Sequence, residues 1–573
     1  MNILGVSNAW DSGAALLVDG LVVAAANEER FSRVKLERCF PIHSIEYVLE
    51  HGELSVHDLD QIAVGGWKGL DENETLPNLV DEIGRQVLAT KGAALGTIRE
   101  RLVASASRDR LFKEEIYRGL SDLGVDPSLI CFYDHHLTHA ASAYCPSPFD
   151  NALVLTVDGR GDYRSVALWR PTEAGLSLVD MTSELVSPGA MYGFVTKYLG
   201  FVPDRHEGKV TGLAAYGRMT EAYDLLKAGF SFDHVTGRLS SCIGLSYSPF
   251  VSADLEVLAH GLDAFSKEDV AFAVQALFED SLVAFLQHNI DSMELDSVNL
   301  CLAGGCVGNV KLNYEFRKIS QVNSVYVFPH MGDGGLSLGA AMAARMKCSG
   351  EPKVLMPTAY LGPEYSDDQI GDALDGSGLR FAKYEEDEIP AITAEALSEN
   401  RIIGWFQGRM EVGPRALGSR SILASAADKS INATLNQRLD RTEFMPFAPA
   451  TTDSNAARCF IGWTPNDVAS QFMTMCYDCT PFLAENCPAV VHVDNTARPQ
   501  VVFKEHNPRF YEVIQTYIDM TGNPTIINTS FNHHEEPIVR TPEDAIRSCI
   551  NGDVDLLIAG RWIVEPPEGS LGI

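Results

Sequence analysis

Ala152-Leu153-Val154-Leu155-Thr156-Val157-Asp158-Gly159-Arg160-Gly161-Asp162 is the stretch on which the fold turns. A short apolar run bounded by turn residues reads as a strand buried on both faces. The acidic glycine turn that closes it puts Asp158 at the strand tip. Ser165–Arg170 and Leu176–Asp180 continue as two further strands joined by a turn. The same order stands roughly 150 residues earlier, a spacing that reads as a duplication. There, strand Ile3–Ser7 meets Asp11-Ser12-Gly13, and Ala14–Val18 turns at Asp19-Gly20 into Leu21–Ala26. Asp-Gly between apolar runs favours a tight hairpin turn.

Strand, acidic turn and hairpin, appearing twice, predict a duplicated ribonuclease-H-like unit, the architecture of the actin, hexokinase and Hsp70 superfamily. Downstream, a helical stretch at Lys267–His288 leads to strand Val298–Ala303, a glycine turn and a helix. Strand Ser324–Phe328, the turn Gly332-Asp333-Gly334-Gly335 and the alanine-rich helix Ala340–Met346 follow. Such units imply a sheet with crossover helices. Gly350, Pro352, Pro357, Gly362 and Pro363 then punctuate the chain. The predicted organisation is therefore a first domain over residues 1–347, a linker over 348–368 and a second α/β domain over 369–573. In the second domain Ile402–Phe406 and Pro524–Asn528 read as strands. Thr541-Pro542 reads as an N-capped helix start.

The 573 residues, 46% apolar and 21% charged, suit folded domains with their own cores. A net charge of −32 repels a phosphate backbone and argues against a nucleic-acid partner. The first residues lack a basic segment followed by an apolar one, and no run of about 18 apolar residues exists. The expectation is a cytoplasmic protein with no membrane partner. Twelve cysteines include a single Cys-x-x-Cys, Cys476–Cys479, too few thiolates for a four-cysteine zinc site.

His135 and His139 lie four apart in a segment that reads as helix and ends before Pro146. Both rings therefore share one helical face and can share an ion. Imidazole suits iron or zinc, and the strand-end carboxylates Asp158 and Asp333 are candidates to finish the shell while leaving positions open. Ala303-Gly304-Gly305-Cys306-Val307-Gly308-Asn309 follows a strand and opens a helix. Glycines there let N–H groups approach a phosphate, although the turn is no Walker loop. In Gln407–Ser421 three arginines, Arg409, Arg415 and Arg420, fall among three glycines. Against the acidic background that concentration suggests an anion site, with Arg438, Arg441 and Arg498 converging on it. Asn528-Thr529-Ser530-Phe531-Asn532 adds hydroxyl and amide groups after a strand.

These segments, with Asn27–Arg33, Glu207–Gly217, Gly413–Leu423, Pro446–Pro449 and Thr496–Gln500, resemble the O-carbamoyltransferases of antibiotic and nodulation-factor tailoring. The resemblance implies an actin-like N-terminal module and a YrdC-like C-terminal module. The second would make carbamoyl-adenylate from carbamoyl phosphate and ATP with magnesium. The first would hold iron, or another divalent metal, and pass the carbamoyl group to a hydroxyl of a small molecule or sugar. It further implies metal ligation by His135, His139, Asp158 and Asp333, and catalytic roles for Asp11, Asp158 and Lys35. Gly304, Gly305, Asn309 and Gly332 match the nucleotide turn. Arg415, Arg420, Arg441, Arg498, Ser530 and Asn532 match the carbamoyl phosphate and ATP positions.

Two departures stand out. Trp10 precedes Asp11 where many members carry His, and Leu439–Pro446 lacks two of the family's cationic positions. The alternatives are threonylcarbamoylation of a transfer RNA, which the charge disfavours, and a non-catalytic nucleotide or metal sensor on an actin-like fold. Hydrogenase maturation is disfavoured by the lone cysteine pair. The acceptor is left open, and a homodimer is among the assemblies allowed.

Overall fold

The computed structural model describes residues 1–70, 73–90, 93–241, 261–442 and 444–567. Cys242 and Glu443 lie outside the described residues. The chain is a mixed α/β protein that divides into two units. The first comprises residues 1–22, 38–45 and 49–355, and the second residues 23–37, 46–48 and 356–573.

Among the described residues, the strands of the first part of the chain are β1 (Asn2–Ser7), β2 (Gly13–Val18), β3 (Leu21–Asn27), β4 (Gln61–Gly65), β5 (Ile130–Tyr133), β6 (Leu153–Gly161), β7 (Arg164–Thr172), β8 (Gly175–Ser183), β9 (Phe230–Asp233), β10 (Arg238–Ser241), β11 (Val298–Ala303) and β12 (Val322–Val327). One five-stranded sheet runs β3-β2-β1-β4-β5 and the other runs β8-β7-β6-β11-β12. In each, the first strand pairs antiparallel with the next and parallel with a later strand. Two sheets of one order and one sense are the duplicated unit predicted from the two acidic turns. Ile3, Leu4 and Val6 of β1, and Val154, Leu155 and Val157 of β6, are fully buried. Their apolar runs fit strands covered on both faces.

The covering helices are exchanged between the halves. Helix His135–Tyr144 follows β5 of the first sheet but packs on β6 and β11 of the second. Helix Leu336–Ser349 follows β12 of the second sheet but packs on β1, β2 and β4 of the first. The two helices also pack on each other. The exchange is what gathers the tips of β6, the histidine helix and the turn before Leu336 at one place.

The second unit is built on an eight-stranded mixed sheet. Its strands are β13 (Arg380–Lys383), β14 (Ile403–Phe406), β15 (Arg420–Ser425), β16 (Ala448–Thr452), β19 (Gln500–Val502), β20 (Ile526–Ser530), β21 (Leu556–Ala559) and β22 (Trp562–Glu565), with the short pair β17 (Tyr477–Asp478) and β18 (Thr496–Ala497) apart from it. The order is β13-β22-β21-β14-β15-β20-β16-β19. Helices Ile389–Ser398 and Pro508–Thr521 pack together over it, burying Leu397, Trp405, Phe510, Ile514 and Tyr517. Thr541 caps helix Pro542–Ile550 with a capping box and Pro542 in the first turn.

The passage between units falls at Leu355/Met356, within the segment read as a linker. Lys353 is held on the first unit, where its ammonium donates to the carbonyls of Tyr144, Ser147 and Phe149. Residues 23–37 and 46–48, predicted from sequence to lie in the first domain, group with the second unit. The cause is polar and local. Ala25 N donates to Leu361 O, and Arg409 donates to Val23 O. Arg33 reaches two further backbone carbonyls of the second unit, those of Pro537 and Ile538.

Candidate active sites

Asp134 caps the histidine helix by accepting from Leu137 N, and its other oxygen is bound by the buried Arg164 at 2.6 Å. His135 N is taken by Asp162, which also accepts from the backbone of Lys68 and Gly69. Asp162 stands at φ 44, a left-handed conformation that turns its carboxylate back under the helix start. Burial, followed by the charge of Asp134, raises its carboxyl to about 7. Gly161 leaves room for His135, since a Cβ there would lie 2.0 Å from the imidazole ring.

With the helix so placed, His135, His139, Asp158 and Asp333 meet, their ligand atoms all within 4.8 Å of one another. The two Nε2 atoms are 3.1 Å apart. Asp158 Oδ2 lies 3.0 Å from His139 and 3.4 Å from His135, and Asp333 Oδ1 lies 3.5 Å from each. Ligands bonded at about 2.1 Å stand about 3.0 Å apart at right angles and about 3.4 Å apart at tetrahedral angles. The four donors therefore have the spacing of neighbouring ligands on one ion, and two imidazoles with two carboxylates suit a divalent transition metal.

The carboxylates make this a place that favours positive charge. Burial works against a proton on His135, but Asp333 and Asp158 outweigh it and lift the imidazole to about 9. Burial likewise opposes charge on Asp158, yet its hydrogen bonds to His135 and His139 hold it well below the usual carboxylate range. His136 lies outside the group. Burial, then the charge of His135, keeps it neutral, and its Nδ1 pairs with Thr156 Oγ1 at 2.8 Å. Because that hydroxyl donates to Ala167 O, the proton sits on His136 Nδ1.

Asp11 is 9% exposed at φ 57, and His330 Nε2 lies 3.5 Å from its Oδ2. A Cβ on Gly334, next to Asp333, would strike both His330 and Asp11. An imidazole therefore stands beside Asp11 although Trp10 precedes it in sequence. Trp10 itself is 42% exposed, with the Arg38 guanidinium 5.5 Å from its ring.

The glycine turns come together at Gly305 and Gly332, whose Cα and would-be Cβ are 3.8 Å apart. Gly305 N points at Asp158 Oδ2, 3.3 Å away. Gly304 stands at φ 100 against the backbone of Val157, a position closed to any side chain. Asn309 requires a correction. Its side-chain oxygen accepts from Lys311 N, Leu312 N and Gln275, while its amino group donates to Gln275 and Thr211. The oxygen caps helix Val310–Arg317 and the amino group is held by Gln275 and Thr211, so the amide positions the turn.

In the second unit Arg441 clasps the end of β20. One Nη donates to Thr529 Oγ1 and the other reaches Ser530 Oγ, Asn532 Oδ1 and the carbonyls of both residues. The expected trio of Arg441, Ser530 and Asn532 is thus one cluster. Arg415 and Arg498 are half-buried. Arg420 departs from expectation. It is fully buried over the Phe406 ring and donates to the carbonyls of Gln407, Gly408, Ser419 and Pro363. Burial lowers its guanidinium to about 10, and it has no route to an anion. The N–H groups of the same loop are also committed: Leu417, Ser419 and Arg420 donate to the buried carboxylate of Glu411.

Lys35, expected to be catalytic, groups with the second unit, beside Glu535, Glu29, Arg441 and Arg30. Burial pulls its ammonium below the usual range, opposed by Glu535 and Glu29. Asp162, Glu411 and His330 were not singled out from sequence. Only the acidic turn Gly159–Asp162 carried a signal for any of them.

Residues 2–342 match the family model described as carbamoyltransferase N-terminus, and residues 394–566 match carbamoyltransferase C-terminus. Nodulation protein NolNO of Sinorhizobium fredii is 31% identical over 583 residues, covering 99% of this chain and 81% of that protein. Protein sll1178 of Synechocystis is 31% identical over 611 residues, covering 98% and 96%. Among solved structures, HypF of T. kodakarensis aligns with a TM-score of 0.34 at 12% identity, over 61% of this chain and 48% of that one.

Proposed function

The chain belongs to the carbamoyltransferase family, and from that premise we propose that it is an ATP-dependent O-carbamoyltransferase working through carbamoyl-adenylate. The observation that carries the transfer half is the meeting of His135, His139, Asp158 and Asp333. Those four residues would hold the divalent metal, iron by family resemblance, which when bound supplies Lewis-acid polarisation of the carbamoyl carbonyl.

The second unit binds carbamoyl phosphate and ATP, the latter with magnesium. Arg415 and Arg498 supply guanidinium contacts to phosphate oxygens, and Ser530 and Asn532, held by Arg441, supply neutral donors. Mass balance sets the products. Water attacks the phosphorus of carbamoyl phosphate and the bond to the carbamate oxygen breaks, releasing inorganic phosphate; the freed carbamate oxygen then bonds to the α-phosphorus of ATP, and pyrophosphate departs.

In the first unit the acceptor hydroxyl oxygen attacks the carbamoyl carbon, the bond to the AMP oxygen breaks, and AMP leaves with the electron pair. Asp11 takes the hydroxyl proton, and His330 at 3.5 Å orients its carboxylate. Separations of this length are common before substrate binds. The acceptor is a small hydroxyl compound.

The test is pyrophosphate exchange into ATP by the full chain, with and without carbamoyl phosphate. It is followed by mass spectrometry of candidate hydroxyl compounds for the gain of one carbamoyl group. Exchange that requires carbamoyl phosphate is expected. A chain that binds ATP and metal without exchange would instead be a sensor, and the reading would fall.

A further inference from the structure

The second unit does not consist of C-terminal residues alone: Val23–Glu37 belongs to it, and this segment touches both loops on which its anion site depends. Arg30, 6% exposed, is paired with Glu29 at 2.9 Å and donates through Nη2 to Gly413 O. Gly413, at φ 100, lies two residues before Arg415. Arg33 ends the single turn Glu29–Ser32 in a left-handed conformation and sends a two-pronged guanidinium to Ile538 O at 2.7 Å and Pro537 O at 2.8 Å.

Those carbonyls close the loop that begins at Ser530. Asn532 Nδ2 donates to Glu536 O, and Val539 N returns to Phe531 O. The segment is in turn gripped from the C-terminal side. Arg540 donates to Arg30 O at 3.1 Å and lies 4.9 Å over the Phe31 ring. Glu29 also accepts from Leu36 N, which closes the turn on itself.

We propose that Asn27–Lys35 is a working wall of the adenylate-forming site: Arg30 and Arg33 are positioning residues that hold the Arg415 loop and the Ser530–Ile538 loop in register for carbamoyl phosphate and ATP. Two properties set this apart from plain stabilisation. Each guanidinium ends on carbonyls within a few residues of a presumed phosphate contact, so a shift of either loop moves a binding group. Both are also spent on the second unit although they lie only a few residues beyond β3, inside the part of the chain that otherwise builds the first unit. The inference rests on the adenylation reading given above.

The experiment uses the full chain carrying Arg33→Gln, Arg33→Lys or Arg30→Gln. It measures KM and kcat for carbamoyl phosphate-dependent exchange, with thermal unfolding and bound-metal content recorded alongside. KM for carbamoyl phosphate is expected to rise about tenfold in Arg33→Gln, the loss of roughly one charge-assisted hydrogen bond. Arg33→Lys should fall between that variant and the unaltered chain, because one donor cannot serve two carbonyls. Metal content should not change. If exchange in the unaltered chain is normal and the variants keep its KM, the segment is not part of the site, including where kcat falls only with the folded fraction. Absence of exchange in the unaltered chain would sink both this inference and the adenylation reading.

Discussion

At the scale of single residues, the chain separates side chains that meet a ligand from side chains that build the place where it sits. His139 is 1% exposed and lies 3.0 Å from Asp158 and 3.5 Å from Asp333. Replacing it with Ala removes one of four donors and leaves two carboxylates facing a single imidazole. His139→Ala is therefore expected to lose bound metal, read by elemental analysis, and to lose transfer. It should retain carbamoyl phosphate-dependent exchange, because that chemistry is proposed for the second unit. Loss of exchange together with transfer would refute the division. Arg420 is the opposite case. Its two Nη groups serve four backbone carbonyls, and a methionine of similar length would strand those carbonyls in the core. Arg420→Met should cost about 3–5 kcal/mol in urea unfolding, the usual range for breaking a buried charged partnership. A variant of unchanged stability with a raised KM for carbamoyl phosphate would restore the anion-binding role.

At the scale of elements, what could be read from sequence was whatever depends on local period and turn chemistry. The four-residue spacing of His135 and His139 fixed a shared helical face, and the strand-tip positions of Asp158 and Asp333 aimed both carboxylates at the same end of the sheets. Helix Lys267–Ser292 was legible over most of its length, as was the cap at Thr541. What escaped needed partners distant in sequence. Arg420 looked like one more cation in a glycine-rich loop, yet it opens the wholly buried strand β15. Lys35 fell inside the first predicted domain, and the contacts of Val23, Ala25, Arg30 and Arg33 show its segment grouping with the second unit. His330 could not be matched to Asp11 before the turn at Gly334 was known. The network under the glycine turn is equally silent in sequence and carries a pH signature. Gln275 links Asn309 to Glu279, whose carboxyl is raised to about 7 by burial, partly opposed by its bond from Gln275 and reinforced by Glu315. An acid whose folded value is raised favours the protonated form in the fold. Its contribution is full below about 4.5 and fades as pH climbs through about 7. Glu279→Gln keeps an oxygen for Gln275 and abolishes that titration. The variant should melt at a higher temperature than the unaltered chain at pH 8 and close to it at pH 5; the reverse order would show that Glu279 is ionised in the fold with profit.

At the scale of the whole molecule, the proposed adenylation calls for concentrated cations in a chain rich in acids. Carbamoyl phosphate and ATP are anions, yet 45 Lys and Arg stand against 77 Asp and Glu. A guanidinium placed at random would be neutralised by its surroundings. Arg441 instead donates to hydroxyl and amide groups at the end of β20. The same balance governs the acceptor. Two-step chemistry of this kind would also serve a transfer RNA adenosine, but a polynucleotide must neutralise many phosphates at once, whereas a small hydroxyl compound presents none. A net charge of −32 opposes the long-range encounter, and affinity for nucleic acid is supplied largely by released counterions at basic faces. Labelled transfer RNA titrated with the metal-loaded chain at about 50 mM salt should therefore show no saturable anisotropy change up to about 10 μM protein, the region where nonspecific binders already respond at low ionic strength. Saturation in that range, weakening steeply as salt is raised, would reveal a cationic surface that total charge conceals and would return transfer RNA to the list of acceptors.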